Sequence, residues 1–555
     1  VIYLDQDERG RMGFACGAYD LKALCRSAHL SWSQARKIWH CPARPAFGHL
    51  LLRRFHDSLF QPAALAEARR LEEEHADRER FLQELAEART DDLLLEQLGA
   101  GIVWPAKLMR HQRHSILGAL VFERFGFFLE MGTGKTLAAL AAFQILRDLG
   151  LVDRLLVCCP PRLQHEAWSR QAAEHLGWQA HVLEGRRQER ALAVASSKHE
   201  MIVCSHTAIR ENGKAYAKAV ADGRWMVIFD ESSRLGGGSS QQAAAAIRIS
   251  EQAERVLLLT GTPFAGKLER LFRQLRLLDG GALLGTSYSR LLELARELGA
   301  PLDWQGRVEW GRAPAFATLI QAAIDSCSVQ WKRAECVDLP ERTFRTLKVE
   351  MTVAQKAAYL QTKVKDVGAL RAMGIPVAAA KALNLAQVTS GFVRAEDGTV
   401  TFLEPNPKLQ ALLQLFEDEL EGVKTIVWVR FHAELDLVAN GLRKHGISVV
   451  EFSGRVNDSG KEEALARFRA PMGAQVLLAT AETGGYGLSL NEASAMVFYS
   501  VGYDWEVYSQ ACDRNQRVGQ TARCTVFQLL CGGSVDVKIS EILRKKGRLR
   551  DLILD

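Results

Sequence analysis

The chain is 555 residues long, and at roughly 150 residues per domain that length predicts three or four domains and excludes a minimal disulfide scaffold. Apolar residues make up 48% and charged residues 25%, with 44 Gly and 14 Pro, ordinary globular usage that excludes a disordered or fibrous chain. The formal charge of +6 is too mild to require a polyanionic partner. It is unevenly placed, however: residues 1–100 carry 14 Lys/Arg against 16 Asp/Glu, residues 101–400 carry 39 against 29, and residues 401–555 carry 18 against 20.

The first ten residues, Val1-Ile-Tyr-Leu-Asp-Gln-Asp-Glu-Arg-Gly10, put charges where a signal peptide needs an apolar core. No window reaches the ~18 uncharged apolar residues of a spanning helix. The expectation is a cytoplasmic protein with no membrane partner. Residues 1–60 read as a small unit with Trp32 and Trp39 seven apart, at helical spacing. The group Cys16, Cys25, His40 and Cys41 lacks the Cys-x2-4-Cys pair of a structural zinc site. From Pro62 to about Glu96 the pattern is a long charged helix with opposite charges at i,i+4, completing an accessory region over 1–100.

A rhythm of short apolar runs separated by helical patterns follows, twice over. The first set is 127–129, 155–159, 201–204, 225–229 and 256–259; the second is 425–429, 449–452, 476–479, 496–499 and 525–530. Continuous apolar strands between helices are what a parallel sheet covered on both faces requires. The expected fold class is therefore α/β, with one parallel-sheet lobe over 101–275 and another over 401–555. Cys158, Cys159 and Cys204 fall inside the apolar runs and read as reduced core residues. Residues 276–400 lose the strand rhythm and read as a helical insert and connector. The tail Arg544-Lys-Lys-Gly-Arg-Leu-Arg550 is a basic cluster that suits phosphate or the solvated end of a helix.

Three stretches carry chemistry. Directly after the 127–129 strand comes Gly132-Thr133-Gly134-Lys135-Thr136, followed by a helical pattern. A glycine-rich turn between strand and helix aims backbone N–H groups at an anion, with Lys135 reaching the β/γ-phosphates of a nucleotide and Thr136 ligating magnesium. Leu129 stands where the generic motif has Gly. The strand 225–229 then delivers Asp230 and Glu231 at a sheet edge where ligands bind. There Asp230 suits the Mg2+ of a bound ATP, and Glu231 suits orientation and deprotonation of the attacking water. Finally, Gln510, Arg514 and Arg517 are spaced four and three apart, so on one helix they share a face and can present guanidinium groups to a phosphate as an arginine finger does.

In order, Gln112, Gly132-Thr-Gly-Lys-Thr136, Cys159-Pro-Pro-Arg-Leu163, Asp230-Glu-Ser-Ser233, Leu259-Thr-Gly-Thr-Pro263, Thr480 to Leu490 and Gln510-x3-Arg514-x2-Arg517-x-Gly-Gln520 resemble superfamily 2 helicases. More narrowly they resemble Swi/Snf-type double-stranded-DNA translocases, whose habit is the Arg-x-Gly-Gln ending. The resemblance runs from about residue 104 to 545 and implies two RecA-like lobes with ATP in the cleft and duplex DNA across both. It implies an adenine contact at Gln112, phosphate binding at Gly132, Thr133, Gly134 and Lys135, and Mg2+ at Thr136 and Asp230. It also implies γ-phosphate sensing by Gln510, Arg514 and Arg517, coupling of hydrolysis to movement by Thr260-Gly-Thr262, and DNA-backbone contacts by Ser205, Thr207, Thr480, Gly484 and Gly485. Ser233 stands where the family has His, and Glu482-Thr483 where Lys-Ala is common. Residues 12–19 and 32–39 resemble the small DNA-binding module of HARP-type annealing helicases. The implied function is an ATP-dependent translocase on double-stranded DNA. The readings beside it are a strand-separating or annealing helicase on forked or single-stranded DNA, an RNA helicase, and a DNA-binding scaffold with a vestigial ATP site. Protein partners and biological process are not encoded in these motifs.

Overall fold

A computed structural model describes the chain apart from residues 7–11, 18–29, 34–35, 197, 237–239, 265–266, 304–306, 337–339, 365–376, 396, 485–489, 516–519, 521 and 555. It divides into two compact units, the first spanning Val1–Cys336 and the second Val337–Asp551.

The first unit opens with an antiparallel sheet of β1 (Ile2–Gln6), β2 (Met12–Cys16), β3 (Ser31–Ser33) and β4 (Ile38–Pro42), in the order β1-β2-β4-β3. Trp32 and Trp39 are register partners across β3 and β4, so their spacing marks two strands meeting across a turn, not one helix. Lys37, with φ of 53°, belongs to that turn. Phe14, Trp39, Phe47, Leu51 and Leu71 share one core between this sheet, the helix Pro45–Arg54 and the start of the long helix Pro62–Glu87. Both helices carry Pro in the first turn, where its missing N–H is an orphan anyway. Arg70 pairs with Glu67 and Glu74 on the long helix's outer face, while Leu85 joins the core of the following α/β layer.

That layer is a seven-stranded sheet of β5 (Arg124–Leu129), β6 (Arg154–Cys159), β7 (Ala180–Val182), β8 (Met201–Ser205), β9 (Trp225–Asp230), β10 (Arg255–Leu259) and β11 (Ser328–Trp331). Its order is β11-β5-β10-β9-β6-β8-β7, with every neighbouring pair parallel. All six residues of β5 and all six of β9 are buried, so the stretches 127–129 and 225–229 within them read as unbroken apolar runs. The helix Leu268–Asp279 runs into the stretch read as insert, and Tyr288–Glu297 and Pro314–Asp325 lie within it. The chain then returns as β11 beside β5, so residues up to 336 belong to the first unit rather than to a separate helical domain.

The second unit holds β12 (Arg342–Val349), a hairpin of β13 (Phe392–Arg394) and β14 (Val400–Phe402), and β15 (Thr425–Val429), β16 (Val449–Phe452), β17 (Val476–Thr480), β18 (Ala495–Phe498) and β19 (Cys524–Cys531). Its six-stranded sheet has the order β12-β19-β18-β15-β17-β16, again parallel throughout. Side chains alternate across a strand, and β15 divides accordingly: Ile426 and Trp428 enter one core and Val427 and Val429 the other. The helices Val353–Val364 and Val377–Thr389 precede the hairpin, so the expected insert over 276–400 supplies an edge strand to each sheet as well as helices.

Of the ten cysteines among the described residues, Cys158, Cys159 and Cys204 included, all but Cys336 are buried; Cys25 lies outside the described residues. Among the described residues no helix is long and apolar enough to cross a membrane.

Candidate functional site

The glycine-rich loop leaves β5 at its C-terminal end and enters the helix Lys135–Asp148. Gly132 and Gly134 have φ of 82° and 79°, the left-handed region that glycine occupies without strain. Gly134 is the helix N-cap, so the first-turn N–H groups face outward from the loop as they do at anion sites. Lys135 Nζ donates to the carbonyls of Leu129 (2.8 Å) and Glu130 (3.1 Å), and buried Thr133 donates its hydroxyl to Glu130 O. Thr136 sits in the helix's first turn, partly exposed.

Two neighbours hold this loop. On the helix Arg110–Val121, His111 Nε2 lies 2.7 Å from Thr133 O and burial pushes its pKa down, so the neutral ring is the donor. Gln112 donates from Nε2 to Thr133 O and Gly134 O and accepts Met109 N at Oε1. The residue expected at the adenine therefore also cradles the phosphate loop. From β11, Trp331 O accepts Glu130 N at 3.0 Å, and the Glu130 carboxylate accepts Arg333 N at 2.9 Å.

Asp230 ends β9, two strands from β5. It is 5% exposed, and its carboxylate accepts Trp168 Nε1 at 2.9 Å and Glu231 N at 2.8 Å. Burial raises its pKa, opposed by the Trp168 bond, the Lys135 charge and the Glu231 N–H. The loop lysine and the strand-end carboxylate are thus electrostatic neighbours. Glu231 is buried with φ of 48°, an uncommon conformation for a non-glycine residue that concentrates at functional turns. Trp168 escapes the sequence reading. It is fully buried and belongs to a π-helical turn, Gln164–Ser169, a rare geometry often found at functional sites.

The residues expected at a nucleic-acid backbone divide. Ser205 ends β8 and spends its hydroxyl as N-cap of the helix His206–Ala221, accepting Ala208 N at 3.1 Å, whereas Thr207 is exposed. Between them His206 is buried, its pKa pushed down to about 4 by burial and then by the Arg234 charge. In the second unit, Thr480 ends β17 and is buried, Gly484 closes the short helix Ala481–Gly484, and Gly485 lies outside the described residues.

The expected common helical face of Gln510, Arg514 and Arg517 is corrected. The helix runs from Trp505 to Cys512, with Asp504 capping its start and Asp513 its end, so only Gln510 lies on it. Gln510 is buried and Arg514 is fully buried, its Nε donating to Gln510 O at 3.0 Å; Arg517 lies outside the described residues. Tertiary bonds take over from the helical ladder here. Arg514 O accepts Leu490 N, and Gln520 Nε2 reaches the carbonyls of Asn491, Ala493 and Asn515. The Gln of the Arg-x-Gly-Gln ending is thus a local strut.

The profile of the SNF2-related domain matches residues 126–387, and that of the helicase conserved C-terminal domain matches residues 407–519. An uncharacterised ATP-dependent helicase of Mycoplasma genitalium is 22% identical over 457 residues, covering 80% of this chain and 42% of that protein. The human DNA annealing helicase and endonuclease ZRANB3 is 23% identical over 461 residues, covering 80% of this chain and 40% of that protein. The chain therefore spans less than half the length of these relatives. Among solved structures, the Sulfolobus solfataricus SWI2/SNF2 ATPase core in complex with dsDNA aligns at 20% identity and a TM-score of 0.39, over 81% of this chain and 94% of that one. The phosphate loop and the acidic strand end therefore lie in an SNF2-related domain, and a helicase conserved C-terminal domain follows it in the chain.

Proposed function

We propose that this chain is an ATP-dependent motor that moves along double-stranded DNA and remodels DNA or DNA–protein complexes. The observation that carries the reading is Lys135, just after β5, and Asp230, at the end of β9 two strands away in the same parallel sheet, the lysine's charge acting on the carboxylate. In this reading Lys135 and the N–H groups of Gly132, Thr133 and Gly134 hold the ATP phosphates, and Gln112 faces the adenine. Glu231 orients and deprotonates the attacking water. Thr136 and Asp230 fit a Mg2+ ion: one buried carboxylate and one first-turn hydroxyl leave the remaining positions to phosphate and water, as this cation prefers. Among the described residues no cluster of three or more His, Cys, Asp or Glu builds a separate metal cage. Bound there, Mg2+ would supply neutralisation of phosphate charge. Arg514, buried against Gln510 O, suits orienting the segment that follows, and Arg517 suits the finger itself. Thr207, Thr480, Gly484 and Gly485, with the capped turn at Ser205, are assigned to the DNA backbone, where such contacts position without reading sequence.

The test is phosphate release against duplex, forked and single-stranded DNA and RNA at one stated salt concentration. Duplex DNA should stimulate most, and Lys135→Ala and Glu231→Gln should abolish turnover while duplex binding stays nearly intact. Turnover that persists in either variant, or that answers to RNA above DNA, refutes the reading. Similarity to an annealing helicase favours a second reading, action at forks. A labelled-fork assay separates strand release, strand closure and translocation without either.

A further inference from the structure

We propose that Gln274 is the positioning residue that links the Asp230-Glu231 turn to the Thr260-Gly-Thr-Pro263 loop, and so carries the state of the nucleotide to the moving parts of the motor. The inference rests on the motor reading above and names a residue that no motif contains.

Gln274 lies in the middle of the helix Leu268–Asp279, on its buried side with Leu271, Leu275 and Leu278. A polar amide there must find partners, and it finds three. Ser232 Oγ donates to Gln274 Oε1 at 2.9 Å. Gln274 Nε2 donates to Pro263 O at 2.8 Å and to Arg270 O, one helical turn back, at 3.3 Å. Two carbonyl acceptors at the nitrogen and a hydroxyl at the oxygen settle the amide's orientation, because the flipped form would set oxygen against oxygen. Ser232 and Gln274 are both 0% exposed, so water offers neither group a substitute.

The chain runs from chemistry to chemistry. At one end, Ser232 follows Glu231, whose backbone is held at a φ of 48°, a strained conformation for a non-glycine residue. At the other, Pro263 closes a loop whose Thr260 hydroxyl accepts Thr262 N at 3.1 Å and whose Thr260 N reaches Phe127 O on β5. A side chain at Gly261 would meet Leu129 O and Met131 N at 3.3 Å, so this loop already rides against the backbone of the phosphate loop. One face of the 260–263 loop thus touches the phosphate loop, and Gln274 ties the other to the acidic turn. Ser233 replaces the histidine the family has in this turn, and Gln274 supplies a link by another route. Displacement of the Glu231 turn then moves Pro263 directly, without deforming the helix between them.

The test compares the full chain with Gln274→Leu, Ser232→Ala and the double variant, reading ATP KM, DNA-free turnover, duplex-stimulated turnover and displacement of a third strand from a triplex. Gln274→Leu should keep KM and DNA-free turnover within about threefold and lose roughly tenfold in duplex-stimulated turnover, the scale of one buried hydrogen bond. Third-strand displacement per ATP should fall with it. Because both substitutions cut the same chain, the double variant should be no worse than Gln274→Leu alone. Gln274→Glu adds a readout that a merely structural role would not move. Its buried carboxyl donates to Pro263 O only when protonated, so coupling should be near wild type at about pH 6 and lost by about pH 9. Wild-type coupling in Gln274→Leu, losses that multiply in the double variant, or a pH-independent Gln274→Glu each overturn the relay while leaving the motor intact. A wild-type chain without DNA-stimulated turnover overturns the motor reading and the relay together. If Gln274→Leu fails to fold, Ser232→Ala and the Gln274→Glu pH profile decide alone.

Discussion

Replacing Trp168 with Phe tests how the acidic strand end is held. The indole N–H gives Asp230 a 2.9 Å hydrogen bond in a place where the tryptophan is 0% exposed. A hydrogen bond to a charged group contributes about 1.5–3 kcal/mol, and the smaller ring leaves part of the indole volume empty, which adds to the loss. A total near 3 kcal/mol is expected, lowering the midpoint of the first unit's thermal transition on the order of 5 °C. The pH dependence is the sharper consequence. Burial already raises the Asp230 pKa above its usual value, and the Trp168 bond is foremost among the effects holding it down. Without that bond the pKa rises further. Turnover needs the carboxylate, so the acid limb of the ATPase pH profile should move to higher pH in Trp168→Phe. The sign for stability follows from the same shift. An acid whose folded pKa lies above its unfolded value favours the fold when protonated and loses that contribution as pH rises through the folded pKa, so the variant's deficit should be larger at pH 8 than at pH 5. Calorimetry at the two pH values and a pH–rate profile read both effects. An unmoved acid limb with an unchanged transition would show that Asp230 does not depend on the indole.

Arg517→Ala should keep nucleotide affinity within a few-fold and lose roughly 10³ or more in rate, as removal of an arginine finger does; equal rates in stopped-flow turnover would remove that role. Gly134→Ala drives a methyl into Gln112 Nε2 at a φ of 79°, and nucleotide binding followed by a fluorescent ATP analogue should be lost, with a stability cost of about 1–2 kcal/mol from the left-handed backbone. In the second unit, Lys408 Nζ lies 2.7 Å from Asp536 Oδ2, with the two side chains 1% and 8% exposed. Lys408→Met should cost about 3 kcal/mol in urea unfolding, because it leaves the buried carboxylate with only the Thr389 hydroxyl and the Cys531 N–H. A variant as stable as wild type would show that water reaches the pair.

What could be read from the chain and what could not divides by the range of the interaction. β5, β9 and β15 are legible because every residue in them is buried, leaving an apolar run that needs no context. β11 is four residues, Ser-Val-Gln-Trp, and β12 is an edge strand with mostly exposed side chains, so neither leaves such a run, and the stretch between the lobes reads as purely helical. The Gly132–Thr136 loop is legible for a related reason: its chemistry is made by consecutive backbone groups. Arg514 shows the opposite case. Spacings of four and three suggest a continuing helix, yet bonds to Leu490 and from Gln520 decide the backbone there, and they join residues far apart in sequence. Trp168 and Gln274 hold the acidic turn from 62 and 42 residues away, and one long-range hydrogen bond has no period. Gln274 still leaves a trace. It interrupts the apolar stripe of an otherwise strongly amphipathic helix, and a polar side chain in that position must either destabilise the fold or be bonded to something. A lone polar residue on a buried stripe, close after the 260–263 loop, is therefore a readable sign of a strut, even where the group at its far end cannot be named from sequence.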